Sequence, residues 1–592
     1  MAIYIINSIY CREEDMIRVK SRKQQHLFDP WQFLSPKRRK MLDQDWPGFF
    51  RRHILDLLPV KKLTPAFTQG IGRPTKELYT VLGALALQQY HDLTDLETSS
   101  QLSYNIQWHY ALDIVEENDE AKYVSPKTLW NMRTLATELG IDKDLFDATA
   151  KKLAELFDSD TRHQRIDSVH IRSNMARLGR IGIFVKAIDR FLINIKRQQS
   201  SLWEKIDPEL IERYHGEKAR QCFAGLKPSK SKKTLSEVAS DLYRLVTQFQ
   251  DYRQVANMSS YKMLCRIVKE QCDVQSDGTI ELKAPKEISS DSLQNPSDPD
   301  ATYSGHKGQG YQVQIMETYT EHEGEEKKAG QLNLITHVQV EKACQSDARA
   351  LLPAIKATRE KDLAPEQVQA DSLYGSDDNC QQAEQMGVEV ISPTMGTEKR
   401  DTCSLSDFQF LSNGHVDRCP AGHQPALRKK KKNRFSQGFD CELCEKCPLS
   451  ESCPAKKGAK FFYVRYTEKT MRITRRRQHE QTDAFRQKYR WRAGVEATMS
   501  QYDRLTGVKH LRVRGIRAVR FAAVMKAMAV NIARAIAAKK ARIRGQGPSP
   551  AQHFGVKRCF LLFKEQIDKF LGSFPKYSKE NSEKWTYAHN VV

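Results

Sequence analysis

The sequence predicts a multidomain α/β protein whose central mixed sheet of five strands, flanked by helices, is interrupted by two large insertions. Three observations carry that prediction. Alternating and helical apolar patterns follow one another as strand, insertion, strand, strand, helix, strand, helix, strand, insertion, helix. At 592 residues the chain is too long for one compact core, and 40% hydrophobic residues support several. Five cysteines gathered between Cys419 and Cys453 set one stretch apart from its surroundings.

The elements follow in order. Residues 1–45 form a basic N-terminal segment, in which Met16 is a candidate second start. Residues 46–155 read as a helical N-terminal domain, with apolar residues at helical spacing over Trp46 to Leu58 and Thr75 to Tyr90. Thr94 with Glu97 spells a capping box, and Ser125-Pro126 an N-cap followed by proline at the first helical position. A helix-turn-helix-like DNA-binding pair and a packing or dimerisation domain are equally compatible with this bundle. Residues 160–395 hold the first part of the core. Gln164 to Ile171 is its first strand, and a helical insertion over 175–298 includes Phe184 to Ile195 and Leu235 to Val268. Two strands follow, Tyr311 to Thr318 and Leu332 to Val340, joined by a charged connection. Next come a helix (Asp347 to Arg359), a short strand (Gln367 to Asp371), a helix (Asp377 to Met386) and a strand (Val388 to Ile391). A Cys-rich insertion spans 400–462. Residues 463–545 complete the core with helices Thr482 to Thr506 and Ala518 to Ala537, and 546–592 is a polar tail with an amphipathic helix near Phe560 to Leu571. Without its insertions this order matches the ribonuclease H-like layout, which places an acid on the first strand, one at the end of the fourth and one on a late helix.

Charge narrows the partner. The formal net charge is +22 and is clustered in Arg428 to Arg434 (RKKKKNR), Arg472 to Arg477 (RITRRR) and the series Arg512, Arg514, Arg517 and Arg520. Such clustering points to a polyanion, and nucleic acid leads. No apolar run is expected to span a bilayer, so no membrane partner is expected. The opening MAIYIINSIY lacks a basic leader and a cleavage site, so the expected location is the cytoplasm, in association with the nucleoid.

The acids that the layout selects are Asp167, Asp371 and Glu496. Phosphodiester chemistry needs an activated oxygen nucleophile and a stabilised leaving oxygen, and carboxylates holding divalent ions supply both. Asp371 follows an apolar strand, at the carboxyl end where open α/β sheets bind ligands. Tyr489, Arg492 and Glu496 are spaced by three and four residues and share a helix face, which Ser500 and Asp503 or Arg504 continue. Each acid alone has a plainer reading, as a turn aspartate or a surface glutamate paired with Arg492. Asp189, Asp298 and Asp300 are competitors, the last two in what reads as a loop. The joint placement favours catalysis.

These residues resemble the DDE transposases of bacterial insertion sequences, in the subgroup with a Tyr-x2-Arg-x3-Glu signature and a Cys-rich insertion. Similar segments are Gly72-Arg-Pro, IDSVHIRSN, DPDATYSGHKGQGYQVQIMET, ADSLYGSD and RVRGIRAVRFAAVMKAMAVNIAR, so the resemblance covers roughly residues 25–545. The subgroup often has lysine seven residues after the glutamate. Here that position is Asp503, and Arg504 is the expected phosphate contact. The resemblance implies Mg²⁺ or Mn²⁺, cleavage at terminal inverted repeats to leave a 3′-OH, and strand transfer into target DNA by a homodimer or higher multimer. Tyr489, Arg492, Arg504, Lys307, Arg512 and Arg514 are the expected DNA contacts. An endonuclease with the same fold and a catalytically silent DNA-binding regulator are the competing functions.

Within the Cys-rich stretch, Cys419-x3-His423 precedes Cys441-x2-Cys444-x2-Cys447 and Cys453. Cys-x2-Cys repeats suit structural Zn²⁺, and six candidates exceed the four one ion takes. The first choice is Cys419, Cys441, Cys444 and Cys447, with His423 or Cys453 as substitutes. An iron–sulfur cluster and unliganded thiols are the alternatives. Lys429 to Lys432 lie between the halves of this motif, so the lobe is expected to present lysine to phosphates. GHKGQG at 305–310 lacks the Gly-Lys-Ser/Thr ending of a nucleotide-binding loop and reads as turn chemistry.

Overall fold

The computed structural model describes residues 16–21, 29–68, 72–215, 227–321, 331–396 and 402–544. The connection over 322–330, the amphipathic helix expected near 560–571, and residues 1–15 and 22–28 of the N-terminal segment lie outside them. The chain divides into two compact units, Met1–Glu321 with Leu332–Ile536, and His322–Gln331 with Ala537–Val592. The elements below belong to the first, apart from the end of the last helix, whose residues 537–544 are the described part of the second unit together with Gln331.

The N-terminal region is helical: α1 (Pro36–Gln44), α2 (Trp46–His53), α3 (Leu78–His91), α4 (Asp95–Tyr104), α5 (Ile106–Leu112), α6 (Pro126–Glu138) and α7 (Ile141–Phe157). Helix α3 is apolar around most of its circumference, with Val81, Leu82, Leu85 and Leu87 all buried, so it forms the centre of the group. The expected caps form. The Thr94 hydroxyl accepts from Glu97 N at 3.2 Å while the Glu97 carboxylate accepts from Thr94 N at 2.7 Å. The Ser125 hydroxyl accepts from Thr128 N at 3.2 Å.

Strand β1 (His163–Arg172) opens the sheet. Helices α8 (Arg180–Gln198), α9 (Pro228–Phe249) and α10 (Ser259–Gln271) follow, with the hairpin β2 (Cys272–Val274) and β3 (Ile280–Leu282). They enclose a hydrophobic cluster of their own that includes Phe184, Phe191, Leu242, Phe249 and Leu264. The chain returns through β4 (Thr302–Ser304), β5 (Gly308–Thr318), β6 (Ile335–Lys342), α11 (Leu351–Arg359), β7 (Gln367–Gln369), α12 (Asp377–Gln385) and β8 (Glu389–Ile391). The principal strand order is β6-β5-β1-β7-β8. β6–β5 and β5–β1 are antiparallel, while β1–β7 and β7–β8 are parallel. The sheet has six strands rather than five, because short β4 adds to β5.

One face of the sheet packs Ile166, Met316 and Val368 against Leu351 and Ile355 of α11. The long helix α16 (Ile516–Arg544) is fastened to β6 by Asn531, whose side chain donates to Ile335 O and accepts from Ile335 N, both at 2.8 Å. By length and composition Ile516–Ile543 is apolar enough to cross a bilayer, against the sequence expectation, and 83% of its most apolar window is buried inside the protein. The periodic pattern over Ala518 to Ala537 is that of a helix covered all round.

Between sheet and last helices lies a β-rich lobe: β9 (Gln409–Phe410), β10 (Val416–Arg418), β11 (Leu427–Lys431), β12 (Arg434–Phe439), β13 (Lys456–Lys457) and β14 (Phe462–Thr467). Its larger sheet has the order β11-β12-β14-β13 and covers Phe408, Phe435, Phe439, Val464 and Tyr466. Helix α13 (Glu468–Glu480) leads back to the core. The arginine run on it, expected to meet a polyanion, instead makes internal bonds. Arg472 grips Asp377 through Nε and Nη2, Arg475 donates to Leu411 O, and Arg476 donates to Gly375 O and Ser392 O. The single helix expected over Thr482 to Thr506 is also broken, into α14 (Asp483–Tyr489), a 3-10 turn (Arg490–Ala493) and α15 (Gly494–Thr506).

Candidate active site

The register of the parallel strands assembles the site. His163, Gln164 and Arg165 of β1 pair with Gln367, Val368 and Gln369 of β7. Asp371 follows two residues after that pairing ends, near enough to Asp167 for its negative charge to act on it. The chain turns directly after β7, where Asp371 Oδ1 accepts from Leu373 N at 2.8 Å. Gly375 closes this turn because no side chain would fit. A Cβ there would lie 1.8 Å from Ser392 Oγ.

Asp167 is mostly buried. Its Oδ1 accepts from Ser168 N at 2.8 Å and its Oδ2 from Arg492 at 2.9 Å. Burial pushes its carboxyl above the usual aspartate range, Arg492 and the Ser168 amide oppose this, and the negative charges of Asp371 and Asp347 add to the rise. Glu496 stands on the first turn of α15, 75% exposed, with its carboxylate 4.0 Å from the other branch of Arg492. Arg492 therefore lies between two of the three acids. Tyr489 ends α14 and stacks on Phe485 at 5.4 Å, and burial raises its phenol above the ordinary value.

A buried ion network fixes α15 to the sheet. Glu317 of β5, wholly buried, accepts from Arg165 Nε of β1 at 2.7 Å, Thr498 Oγ1 of α15 at 2.6 Å and Arg534 of α16 at 2.9 Å. Arg165 also donates to Trp491 O at 2.7 Å, inside the 3-10 turn. Its guanidinium occupies the place of a side chain at residue 494, for a Cβ on Gly494 would lie 2.1 Å from it. Arg165 both takes a carbonyl of the turn and fills the space beneath it, which accounts for the break in the expected helix.

The other expected residues fall in several places. Lys307 Nζ donates to Ser168 Oγ at 3.1 Å, one residue from Asp167. Arg504 is exposed in the last turn of α15. Asp503 accepts from Lys509 N at 3.1 Å and so helps hold the turn after α15. Arg512 is drawn to Asp92 at 3.2 Å, beside Lys526, which also reaches Asp92 at 2.8 Å; Arg514 is exposed. The competitors are structural. Asp298 accepts from Ser173, Tyr311 and Gly515 N, Asp300 accepts from Ile516 N at the start of α16, and Asp189 lies 3.3 Å from His215. Asp347 is the acid near the site that sequence reading passed over. It opens the turn before α11, accepts from Gln314 at 2.7 Å, and Gln314 in turn accepts from buried Tyr374 at 2.5 Å. Its position at a helix start just after a strand was the available signal.

In the β-rich lobe, Cys403, Cys419, His423, Cys444, Cys447 and Cys453 line one small cavity of about 30 Å³. Burial pushes the Cys444 thiol up to about 11, reinforced by Cys453, Cys419, Cys447 and Cys441. Burial likewise pushes Cys403 up to about 12. Cys403 lies outside the spaced motif and was not anticipated. Thiols converging on one cavity have the donor chemistry that Zn²⁺ takes. Among the described residues, however, no group of three or more His, Cys, Asp or Glu side chains is drawn together tightly enough to enclose an ion.

Comparison with known families gives two matches. The family described as Transposase DDE domain matches residues 418–536, which include Tyr489, Arg492 and Glu496 but neither Asp167 nor Asp371. The family described as Transposase domain (DUF772) matches residues 38–135, within the N-terminal helices. No curated protein and no solved structure matches the chain. With a transposase domain matched towards each end of the described fold, these two family matches support a DDE transposase of the insertion-sequence type.

Proposed function

We propose that this transposase cleaves transposon DNA ends and joins them to target DNA by metal-dependent phosphoryl transfer through Asp167, Asp371 and Glu496, on a ribonuclease H-like core. The observation that carries the proposal is the nearness of Asp371, just past the end of β7, to Asp167 on the adjacent parallel strand, with Arg492 lying between Asp167 and Glu496. The strand order β6-β5-β1-β7-β8 supports the core assignment.

The carboxylates are hard oxygen donors of the kind that Mg²⁺ or Mn²⁺ takes, and burial leaves Asp167 poorly compensated, although the three acids are not drawn together around one point in this structure. Asp167, Asp371 and Glu496 would hold such ions, which would supply activation of the attacking oxygen and neutralisation of charge on the leaving one. The protein's own groups do the rest. Asp167 and Asp371 are fixed by the sheet, and Glu496 is offered from an exposed helix face. Arg492 supplies positive charge at Asp167 and is placed to turn to a phosphate. Tyr489, Lys307, Arg504 and Arg514 border the path of a DNA end. Terminal inverted repeats and target DNA are the substrates, a homodimer or higher multimer is the acting form, and the nucleoid is the working location. Structural Zn²⁺ in the β-rich lobe belongs to the same reading.

The test is cleavage and joining of a labelled duplex carrying the flanking genomic ends, with Mg²⁺, for the native chain and for Asp371→Asn and Glu496→Gln. Metal-dependent cleavage and joining lost in both variants is expected. Cleavage without joining would reduce the function to an endonuclease, and specific binding without cleavage to a silent regulator.

A further inference from the structure

The run Arg428–Lys432 looks like one block of charge, but the strand register divides it. Side chains alternate between the two faces of a strand, and directly paired residues share a face. Arg428 and Lys430 pair with Gln437 and Phe435, on the face that covers the lobe's core. Lys429 and Lys431 pair with Ser436 and Arg434, and these continue across β14 to Arg465 and Thr467. On β12 and β14 burial follows the same alternation, with Arg434 and Arg465 exposed and Phe435, Val464 and Tyr466 buried, while on the edge strand β11 Arg428 to Lys431 are all exposed.

Ion pairing separates the two sets in the same way. Each cation on the core-side face has an acidic neighbour: Arg428 has Asp417 at 3.7 Å, Lys430 has Glu468 at 2.7 Å, and Lys457 has Glu445 at 2.5 Å. On the open face, Lys429, Lys431, Arg434, Arg465 and Lys456 are exposed and have no acidic partner among the described residues. No aspartate or glutamate occupies an outward position of these four strands. Arg465 lies over the Tyr463 ring at 4.7 Å, which keeps its guanidinium extended along the sheet.

We infer that this open sheet face is a binding surface for the phosphate backbone of duplex DNA, with Lys429, Lys431, Arg434 and Arg465 as its contacts. Five unpaired cations on one face, without an intervening carboxylate, complement a polyanion. Flexible lysines and forked arginines both suit phosphate oxygens. Nothing on the face offers base-edge discrimination, so it holds DNA without reading it. The choice of duplex DNA rests on the transposase reading.

Salt dependence tests it. Binding of the full chain to a labelled random-sequence duplex is measured over a salt series for the native protein, for Lys429→Gln/Lys431→Gln/Arg465→Gln, and for Arg428→Gln/Lys430→Gln. A thermal unfolding midpoint checks each fold. The slope of log affinity against log salt is expected to weaken by about 0.9 per lost phosphate contact, roughly 2.7 in the triple variant, and to stay unchanged in the double variant. A native slope kept by the triple variant, or an equal change in the double variant, would overturn the surface and leave the transposase reading standing. Absence of salt-dependent duplex binding by the native chain would overturn both. A parallel arm with single-stranded RNA closes the other route: tighter, face-dependent RNA binding would overturn the DNA assignment.

Discussion

Removing the carboxylate of Glu317 should be among the most damaging single changes outside the acids themselves. Glu317 is completely buried, and its partners Arg165 and Arg534 are only 8% and 12% exposed in their side chains. Glu317→Ala would leave two guanidiniums and the Thr498 hydroxyl without their acceptor, in a place water does not reach. Breaking a buried ion pair by deleting one partner costs about 3–5 kcal/mol. That compares with a total stability of about 5–15 kcal/mol for a domain. Replacing the whole network by apolar side chains of similar volume should cost far less, since no charge is then stranded. The assay is urea unfolding of Glu317→Ala beside Arg165→Met/Glu317→Leu/Arg534→Met, with strand joining measured on each. The single variant should unfold at markedly lower urea, the triple variant close to the native midpoint. The triple variant should still lose joining activity, because α15 is no longer tied to β1. A loss below about 1 kcal/mol in Glu317→Ala would mean that the network is incidental.

Three further outcomes follow from the geometry. Gly494→Ala drives a methyl into the Arg165 guanidinium, so strand joining should fall at least tenfold, and Gly494→Ala/Arg165→Met should recover part of the stability lost, read by thermal unfolding. His91, partly exposed but with its ring nitrogen covered, and buried His337 are held neutral, their pKa values pushed down to about 4 and about 3. Their folded values lie below the unfolded one, so their contribution is present above pH 6.5 and is lost as pH falls towards 4. Together they should give a slope approaching 2.7 kcal/mol per pH unit in denaturant titrations, which His91→Asn and His337→Asn each reduce. Purified protein should carry about one Zn²⁺ per chain by elemental analysis, and Cys444→Ser and Cys403→Ser should both lower it. Retention of full zinc by Cys403→Ser would return Cys403 to the hydrophobic core of the lobe.

Much of this arrangement was legible in the sequence because it rests on local rules. Thr94 with Glu97 and Ser125-Pro126 announce helix starts that depend on nothing distant, and both form. Strands β1, β5 and β8 follow from apolar pattern, and the placing of Asp167 and Asp371 at adjacent strands follows from their order. What escaped depends on partners remote in sequence. The break at Arg490–Ala493 requires Arg165, which meets Trp491 across 326 residues. The inward turn of Arg472, Arg475 and Arg476 depends on carbonyls and a carboxylate that no charge count reveals. Composition treated Arg512 as a DNA contact, while the fold presents it with Asp92, 420 residues earlier. Cys403 joined the thiol cavity through tertiary packing rather than spacing, and Asp347 approached the site through Gln314.

The distance along the chain between the groups that meet at the site has a consequence for synthesis. Asp167 and the arginine that holds it are 325 residues apart. A ribosome adding about 5–20 residues per second therefore takes on the order of tens of seconds to pass from one to the other. During that interval the helices that match the N-terminal transposase domain have already been made, while Glu496 does not yet exist. A nascent or prematurely terminated chain can hold those helices and Asp167, yet it lacks the third carboxylate. On the proposed triad, the order of the polypeptide leaves the set of acids incomplete until synthesis is nearly finished, and every truncated product ending before α15 lacks Glu496.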